Sequence, residues 1–344
     1  MSRRANEAAE APHPRMTTGL AGHALAEAAL LAAYRSERLP HAFLFVGAKG
    51  IGKATLAYRL ARFILAHPDP MAAEVQTATS LAVDPQHPVA RRIAAQAHGG
   101  LLILERTANE KGVLRQQIAV DDVRRTVSFF GSTAGEGGWR IAIVDAVDEL
   151  NRFGANALLK ILEEPPQRAL LLLISHALAR VPATLRSRCR IVTLRPLALA
   201  EVAAALAASM DRAAADPELN TVAAAADGSV ARAMAFLDED ALALRRQALN
   251  VLDRLPAVDS NALHALGDAI AGTDPQPLAA FVDTVNAWLS QRLDRREDAI
   301  GRLARLAEAW GRINQAARDA EMYNLERKPL VFSVFGLLAE ATRD

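Results

Sequence analysis

The sequence contains a single cysteine, no long apolar run and almost no net charge. Because Cys189 is the only cysteine among 344 residues, an intramolecular disulfide and a zinc site built from several thiolates are both excluded. No apolar stretch approaches the ~18 residues that a membrane-spanning helix needs. A secretory signal peptide has an apolar segment after its basic residues, and no such segment follows the arginines near the N-terminus. We therefore expect a soluble, cytoplasmic protein without membrane contact.

The charge and composition set further limits. The formal net charge is +1, since 40 Lys and Arg nearly balance 39 Asp and Glu. The protein is therefore not strongly basic overall, and any contact with nucleic acid must come from a local patch. Hydrophobic residues make up 51% of the chain, and the abundant alanine and leucine favour helix. A chain of this length is expected to form two or three domains with buried cores.

Residues 139–190 contain the most informative pattern, a strand, a helix and a second strand. The apolar run 141–144 ends on Asp145, which predicts a buried parallel strand with a carboxylate at its carboxyl end. Asn151 is predicted to cap a helix with apolar residues at helical spacing, which a Pro-Pro pair ends. The run 170–174 predicts the next strand. Such a unit places its functional residues at the strand ends.

A glycine-rich loop lies earlier in the chain, between a predicted strand at 41–46 and a predicted helix at 56–65. Its sequence, GAKGIGK, matches the phosphate-binding pattern GxxxxGK in the expected strand-to-helix context. Glycines allow backbone N–H groups to close on phosphate oxygens, and the helix N-terminus adds a favourable dipole. The residues predicted to hold a nucleotide phosphate here are Gly47, Gly50, Gly52 and Lys53.

Two positions around this loop lack the group that nucleotide hydrolysis requires. Ala54 replaces the hydroxyl residue that should bind Mg²⁺, and Thr55 lies one residue too far along the helix. Asp145 occupies the position of a Walker B aspartate, but Ala146 follows where an ATPase carries the glutamate that orients water. Two interpretations remain open: the loop binds a nucleotide phosphate, or it is a retained fold element that binds nucleotide weakly or never.

The polar residues beyond the strand ends allow further alternatives. Asp148 and Glu149 follow the first strand and are predicted to lie in a solvated turn. Ser175 and His176 follow the next strand, where they could sense a γ-phosphate, although a structural role is more usual for such a pair.

Three arginines, Arg186, Arg188 and Arg190, alternate with Ser187 and Cys189. The ordinary interpretation of such a cluster is a solvated basic face. The alternative is that an arginine at a helix end reaches the phosphate of a neighbouring subunit, as an arginine finger does. Both interpretations stay open from the residues alone.

The rest of the chain predicts one more strand and many helices. Residues 67–99 are irregular, 101–104 predict a strand, 120–130 a helix and 131–138 a glycine-rich turn. Beyond Pro196 only helices are predicted, at 199–208, 221–226, 230–237, 245–254, 260–271, 277–295, 300–319 and 330–342. The predicted layout is a disordered tail (1–16), an α/β P-loop domain with a parallel sheet (17–196), a small helical domain (197–242) and an all-α helical bundle (243–344).

Several segments of the chain resemble one known family. They are Gly22-His23, RLPHAFLFVG (38–47), GIGK (50–53), NALLKILEEPP (156–166) and TLRSRC (184–189). On these segments the chain is similar to the delta-prime subunits of bacterial DNA polymerase III clamp loaders, which belong to the AAA+ superfamily. NALLK-LEEPP followed by SRC is a specific signature of clamp loaders.

The resemblance implies partners and a role for one arginine. It implies an AAA+-like fold in which the domain 197–242 is the helical lid and the bundle 243–344 is the collar domain for oligomerisation. It also implies a non-motor subunit in a five-membered ring with gamma/tau and delta subunits, which opens the sliding clamp and places it on primed DNA. Arg188 would then be the arginine finger offered to a neighbour's ATP site. The rival interpretation is an ATP-hydrolysing AAA+ motor of the gamma/tau type or a related DNA-processing ATPase.

The differences from the family pattern bear on ATP and on metal. Ala146 falls where the motor subunits carry the catalytic glutamate, and Ala231 falls where they carry a lid arginine, with Arg232 one place off. We therefore expect little or no ATPase activity, and ATP binding that is weak or absent. Many relatives hold zinc through four cysteines, whereas residues 66–100 contain none, so no zinc is expected.

Overall fold

The computed structural model describes residues 12–107, 115, 117–131, 138–210, 212–213, 216–293 and 300–343. These residues form two compact units, one within 10–234 and one within 235–344. The first eleven residues of the predicted tail and most of the predicted glycine-rich turn lie outside the described residues. In the described part of the chain, no helix is both long and apolar enough to cross a membrane.

The described part of the first unit contains a five-stranded parallel sheet. Its strands are β1 (Ala42–Val46), β2 (Leu101–Glu105), β3 (Arg140–Asp145), β4 (Ala169–Ser175) and β5 (Arg190–Thr193). They lie in the order β2-β3-β4-β1-β5. The apolar runs predicted from the sequence form four of these strands, and every residue of β1 and β4 is buried. The fifth strand, β5, was not predicted, because its four residues are mostly exposed and carry no apolar run.

Helices cover both faces of this sheet, so the predicted α/β class is confirmed. Alternate residues of each strand face opposite sides, as the pleat requires. Phe43, Phe45 and Ile143 join one hydrophobic core and Leu44 and Val144 the other. The helices of this unit are α1 (Ala24–Arg35), α2 (Lys53–Ala66), α3 (Ala73–Thr77), α4 (Pro88–Ala94), α5 (Val120–Gly131), α6 (Arg152–Glu163), α7 (Ala183–Arg186), α8 (Leu199–Met210), α9 (Pro217–Ala225) and α10 (Val230–Ala235).

A local signal in the sequence explains where α6 begins, whereas packing explains α3 and α4. Asn151 caps α6 as predicted, because its side-chain oxygen accepts a hydrogen bond from the backbone N–H of Gly154 at 2.8 Å. The segment 67–99, predicted as irregular, contains the two short helices α3 and α4. Each is too short to show a helical period in the sequence, and both are fixed by packing, with Val75 and Ile93 buried.

Residues 12–18 pack against α2. Arg62 is 2% exposed and donates to the backbone oxygen of Arg15 at 3.0 Å, and Arg59 donates to the backbone oxygen of Thr18. His13 lies 3.3 Å from the Glu105 carboxylate and packs edge-on against Tyr58. The part of the predicted tail from residue 12 onward therefore has defined contacts, made by polar side chains rather than by an apolar period.

The second unit is wholly helical where it is described, as predicted. Its helices enclose one hydrophobic core that includes Phe281, Trp288, Val331 and Phe335. Within it, Asn286 accepts from Trp310 Nε1 at 2.7 Å and exchanges hydrogen bonds with Asn314. The helices are α11 (Glu239–Leu252), α12 (Ser260–Ala269), α13 (Pro275–Leu293), α14 (Ile300–Met322) and α15 (Arg327–Thr342).

Candidate functional site

The sheet brings three predicted site segments to one edge. Val46 lies beside Ser175 in the register of β1 and β4, and Asp145 lies beside Ile174 in that of β3 and β4. The carboxyl ends of three neighbouring parallel strands therefore meet. The glycine-rich loop begins directly after β1, Asp145 is the last residue of β3, and Ser175 is the last residue of β4. Open α/β sheets bind ligands at this edge.

The loop 47–52 has the backbone conformation that its glycines allow. Gly50 and Gly52 have φ of 78° and 102°, in the left-handed region that favours glycine. Gly52 is the residue before α2, which begins at Lys53. The N-terminal N–H groups of a 14-residue helix therefore point toward the loop, the arrangement that suits a phosphate.

Lys53 is directed into its own loop. Its Nζ donates to the backbone oxygens of Gly47 at 2.8 Å and of Ala48 at 2.6 Å, and the residue is only 3% exposed. Burial lowers the pKa of Lys53 to about 8, and the nearby Asp145 carboxylate opposes that shift. Burial likewise raises the pKa of Asp145, against the effect of Lys53. The cation that a phosphate would need is thus engaged by backbone carbonyls.

Residues from two other segments close over the loop. A side-chain carbon at Gly50 would collide with Ser229 Oγ, and the backbone N–H of Ala231 lies 3.4 Å from the oxygen of Gly50. On the other side, His23 Nε2 lies 2.7 Å from the backbone oxygen of Ile51. The loop is therefore packed against the chain's own residues at both sides.

The three alanines at the family's functional positions supply no polar group. Ala54 packs against a hydrophobic core, and Ala146 is 2% exposed directly after the Walker B position. Thr55 is half-buried in the first turn of α2. Beside Ala231, Arg232 forms an ion pair with Asp227 at 3.0 Å.

The predicted solvated turn after β3 is wrong for Asp148. This residue is 8% exposed, and its carboxylate accepts a hydrogen bond from the backbone N–H of His176 at 3.0 Å. A short 3₁₀ turn at Val147–Glu149 directs the side chain inward, where it ties β3 to β4. Glu149 pairs with Arg106 at 2.8 Å, and burial raises the pKa of Glu149. Neither contact could be found by periodicity, since Arg106 comes from a different strand end.

The Ser175-His176 pair has one structural member and one polar ring inside the site. Ser175 is fully buried, and its Oγ accepts from the backbone N–H of Ala177 at 3.1 Å. Burial lowers the pKa of His176 to about 4, and Lys53 adds to the shift, so the ring is neutral near pH 7. Within the described residues the Nδ1 atom of His176 is buried without a hydrogen-bond partner.

Arg188 lies away from this closed loop and is exposed. It follows α7 and the residue Ser187, and its side chain is 37% exposed. Its Nη2 forms an ion pair with Glu163 Oε1 at 2.8 Å, and its Nη1 donates to the backbone oxygen of Thr184 at 3.0 Å. The structure thus joins the end of the LEEPP-containing segment to the SRC segment, a contact that sequence spacing did not predict.

The described residues contain no group of three or more His, Cys, Asp or Glu side chains that could hold a metal ion. Cys189 is half-buried, and burial raises the pKa of its thiol to about 12. A thiol with so high a pKa stays protonated near neutral pH and is a poor metal ligand.

Comparison with known proteins gives one family match. The model of a family described as "DNA polymerase III, delta subunit" matches residues 22–198, slightly more than half of the chain. This range covers the glycine-rich loop, the Walker B position and Arg188.

Similar curated proteins include two delta' subunits and one tau subunit of DNA polymerase III. The chain is 36% identical over 149 residues to subunit delta' of Pseudomonas aeruginosa, covering 43% of this chain and 41% of that protein. It is 32% identical over 174 residues to subunit delta' of Escherichia coli, covering 48% and 46%. Subunit tau of Escherichia coli is 26% identical over 305 residues, covering 88% and 40%. The aligned part is thus less than half of each relative's length.

Solved structures similar to the chain include two proteins from Thermotoga maritima. One is a DNA polymerase III gamma subunit-related protein, with a TM-score of 0.42 at 14% identity, covering 91% of this chain and all of that one. The other is a RuvB variant, with a TM-score of 0.44 at 17% identity, covering 87% and 86%.

Proposed function

Since the chain belongs to the family described as DNA polymerase III, delta subunit, we propose that it is a delta-prime, non-motor subunit of a clamp loader. In this proposal it occupies a five-membered ring with gamma/tau and delta subunits in the cytoplasm. The ring opens the sliding clamp and places it on primed DNA. This chain holds its position in the ring through the helical unit within 235–344 and offers Arg188 to a neighbouring ATP site.

One observation carries this proposal: Lys53 and Arg188, the two cations whose motifs suggest a phosphate contact, differ in whether a neighbouring subunit can reach them. Lys53 is 3% exposed and donates to its own loop, while the Arg188 side chain is 37% exposed. A neighbouring subunit can reach the second but not the first. The family match, which includes both residues, is consistent with a subunit that serves another subunit's nucleotide.

The chemistry of Arg188 suits that role. A guanidinium carries five N–H donors in a planar fork and keeps its charge at any physiological pH. An arginine finger stabilises the charge that develops on the transferring phosphoryl group, and in well-studied GTPases it contributes roughly 10³–10⁵ in rate. Because Arg188 follows a short helix at the surface, it can act on a phosphate that its own chain does not bind.

The chain's own loop fits a nucleotide poorly. Ala54 supplies no Mg²⁺ ligand, Ala146 no group to orient water, and Ala231 no cation for the γ-phosphate. Lys53 would have to break two hydrogen bonds to backbone oxygens before it could bind a phosphate. We therefore propose that ATP binds here weakly or not at all and is not hydrolysed.

The rival function is an ATP-hydrolysing motor of the gamma/tau type. The observation in its favour is the similarity to the Escherichia coli tau subunit over 88% of this chain. Against it are the higher identities to the two delta' subunits and the absence of all three groups that turnover needs. A motor would require replacements for Ala54, Ala146 and Ala231.

ATP turnover by the purified chain separates the two functions. We expect no hydrolysis above background, with or without primed DNA, and an unchanged result for Lys53→Ala. Steady-state turnover of ~1 s⁻¹ or more, in the ordinary range for enzymes, that Lys53→Ala abolishes would show that the chain is a motor. Fluorescent ATP-analogue binding measured in parallel reports whether the loop is occupied without turnover.

A further inference from the structure

The end of α6 and the Arg188 segment form a joint at the surface of the first unit. Glu163 is the last residue of α6, and the adjoining Glu164 and Pro-Pro pair end the helix. The carboxylate of Glu163 lies 2.8 Å from Nη2 of Arg188, with side chains 52% and 37% exposed. The two residues are 25 positions apart in sequence, so only the fold brings them together.

The guanidinium of Arg188 is held from two directions. Nη2 is bound by Glu163, while Nη1 donates to the backbone oxygen of Thr184 at 3.0 Å and lies 3.4 Å from Ser187 Oγ. Within the described residues these contacts do not use the Nε–H of the guanidinium. The arginine can therefore keep its ion pair with Glu163 and still donate a hydrogen bond to a phosphate oxygen.

We propose that Glu163 is a positioning residue for Arg188, and this inference rests on the proposed role of Arg188 as a finger. A long arginine side chain at the surface samples many rotamers, and ordering them costs free energy at the moment of reaction. The ion pair with Glu163 and the hydrogen bond to Thr184 select one orientation of the fork before the neighbour's nucleotide arrives. Pre-ordering of this kind raises the rate at which bound ATP reacts.

The alternative is that Glu163 restrains Arg188 instead of positioning it, and the experiment separates these two roles. A carboxylate beside the arginine competes with a phosphate for the guanidinium, so Glu163 would be a restraint if the ion pair had to break. In that case removal of the carboxylate would speed the reaction. The Nε–H argues against this, because the ion pair does not use it and a phosphate can accept from it while the ion pair stays formed.

The test uses the complete complex, reconstituted from this full-length chain, gamma/tau and delta subunits, clamp and primed DNA. Clamp-loading rate is measured against ATP concentration for wild type, Glu163→Gln, Arg188→Ala and the double variant. Glu164→Gln is the matched control, since Glu164 is the neighbouring exposed glutamate. Size-exclusion chromatography and the Tm of each chain verify that every variant folds and assembles.

We expect Glu163→Gln to lower the maximal rate about tenfold, less than the ~100-fold that a misplaced catalytic group can cost, because the hydrogen bond to Thr184 still holds Arg188. The ATP concentration for half-maximal rate should stay the same, because the neighbour's loop binds the nucleotide. The double variant should equal Arg188→Ala alone, and Glu164→Gln should equal wild type. A change that only weakened the fold would instead lower the Tm without this dependence on Arg188.

Three results would overturn the positioning role. They are a wild-type rate for Glu163→Gln while Arg188→Ala is impaired, a faster rate for Glu163→Gln, and effects of the two substitutions that multiply in the double variant. A wild-type rate for Arg188→Ala itself would instead contradict the proposed function of Arg188, so the two failures are distinguishable.

Discussion

The phosphate loop and the Arg188 segment lie in the same α/β unit, yet their cations face opposite environments. Lys53 is buried and donates to two carbonyls of its own loop, whereas Arg188 is exposed and paired with the carboxylate of Glu163. Both segments match sequence patterns associated with nucleotide phosphates. The difference shows that a motif alone does not determine whether its charged group is accessible.

The neighbouring residues explain this contrast. Around the loop, Ser229 and Ala231 lie against Gly50, and His23 lies against Ile51. Among the described residues, Arg188 contacts Glu163 at the end of α6 and Thr184 and Ser187 before it in the chain. Lys53 is therefore buried, whereas Arg188 stays exposed.

The largest effect is expected from removing the helical unit within 235–344. If the Arg188 segment acts only on a neighbour, then losing the ring should abolish clamp loading while the phosphate loop keeps its geometry. We expect the truncated chain to fold and to elute apart from gamma/tau and delta subunits in size-exclusion chromatography, because the exposed helix faces of this unit would meet the other collars. Co-elution of a folded, truncated chain with those subunits would place the main contact in the first unit instead.

The next largest effect is expected at Arg188. We expect Arg188→Ala to assemble normally and to slow clamp loading about 100-fold or more, below the full range for GTPase fingers because other sites in the ring stay intact. Arg188→Lys should restore little, since a point charge does not reproduce the planar fork. Arg186→Ala and Arg190→Ala serve as controls with smaller losses. Equal losses from all three alanine variants would favour a solvated basic face.

A moderate effect on the free energy of unfolding is expected from the burial of Lys53. Burial lowers its pKa from 10.5 to about 8, so between these values the unfolded chain binds a proton that the folded chain has released. Stability due to this group therefore rises as pH increases through the window. Relative to Lys53→Met, the wild-type free energy of unfolding should increase by about 2 kcal/mol between about pH 7 and pH 10, at ~1.4 kcal/mol per pKa unit.

Urea unfolding of both proteins at the two pH values measures this difference. Burial also raises the pKa of Tyr34 and of Tyr58, but both tyrosines are present in the wild type and in Lys53→Met, so their contribution cancels. A gap that stays constant with pH would mean that Lys53 is solvated in the folded chain and that the loop is open.

The sequence predicted the elements that are determined by residues close together along the chain. The apolar runs that became β1, β3 and β4, and the Asn151 cap of α6, were all predicted within one or two residues. Short and exposed elements were missed. β5 pairs with β1 through its backbone although its residues are mostly exposed, so it has no apolar signature.

Candidate residues for the site could be named from the sequence, but their contacts could not. The sequence identified Lys53, Asp145 and Arg188 as candidates, because motifs record residue type and spacing. It did not predict that Lys53 turns back to Gly47 and Ala48, or that Arg188 pairs with Glu163, because these contacts depend on the closure of separate segments. Asp148 was assigned to solvent for the same reason: a residue after a strand end is placed by the turn that follows.

The smallest effect is expected from Lys53→Ala in the assembled complex, and a comparison with Arg188→Ala asks which of the two cations acts on a nucleotide. The measurement is the clamp-loading rate of two reconstituted complexes that differ only in which of the two cations this chain lacks. We expect the Lys53→Ala complex to load clamps within about twofold of wild type, while the Arg188→Ala complex is slower by about 100-fold or more. The reverse order, with Lys53→Ala impaired and Arg188→Ala near the wild-type rate, would show that the chain uses its own nucleotide site and would contradict the account.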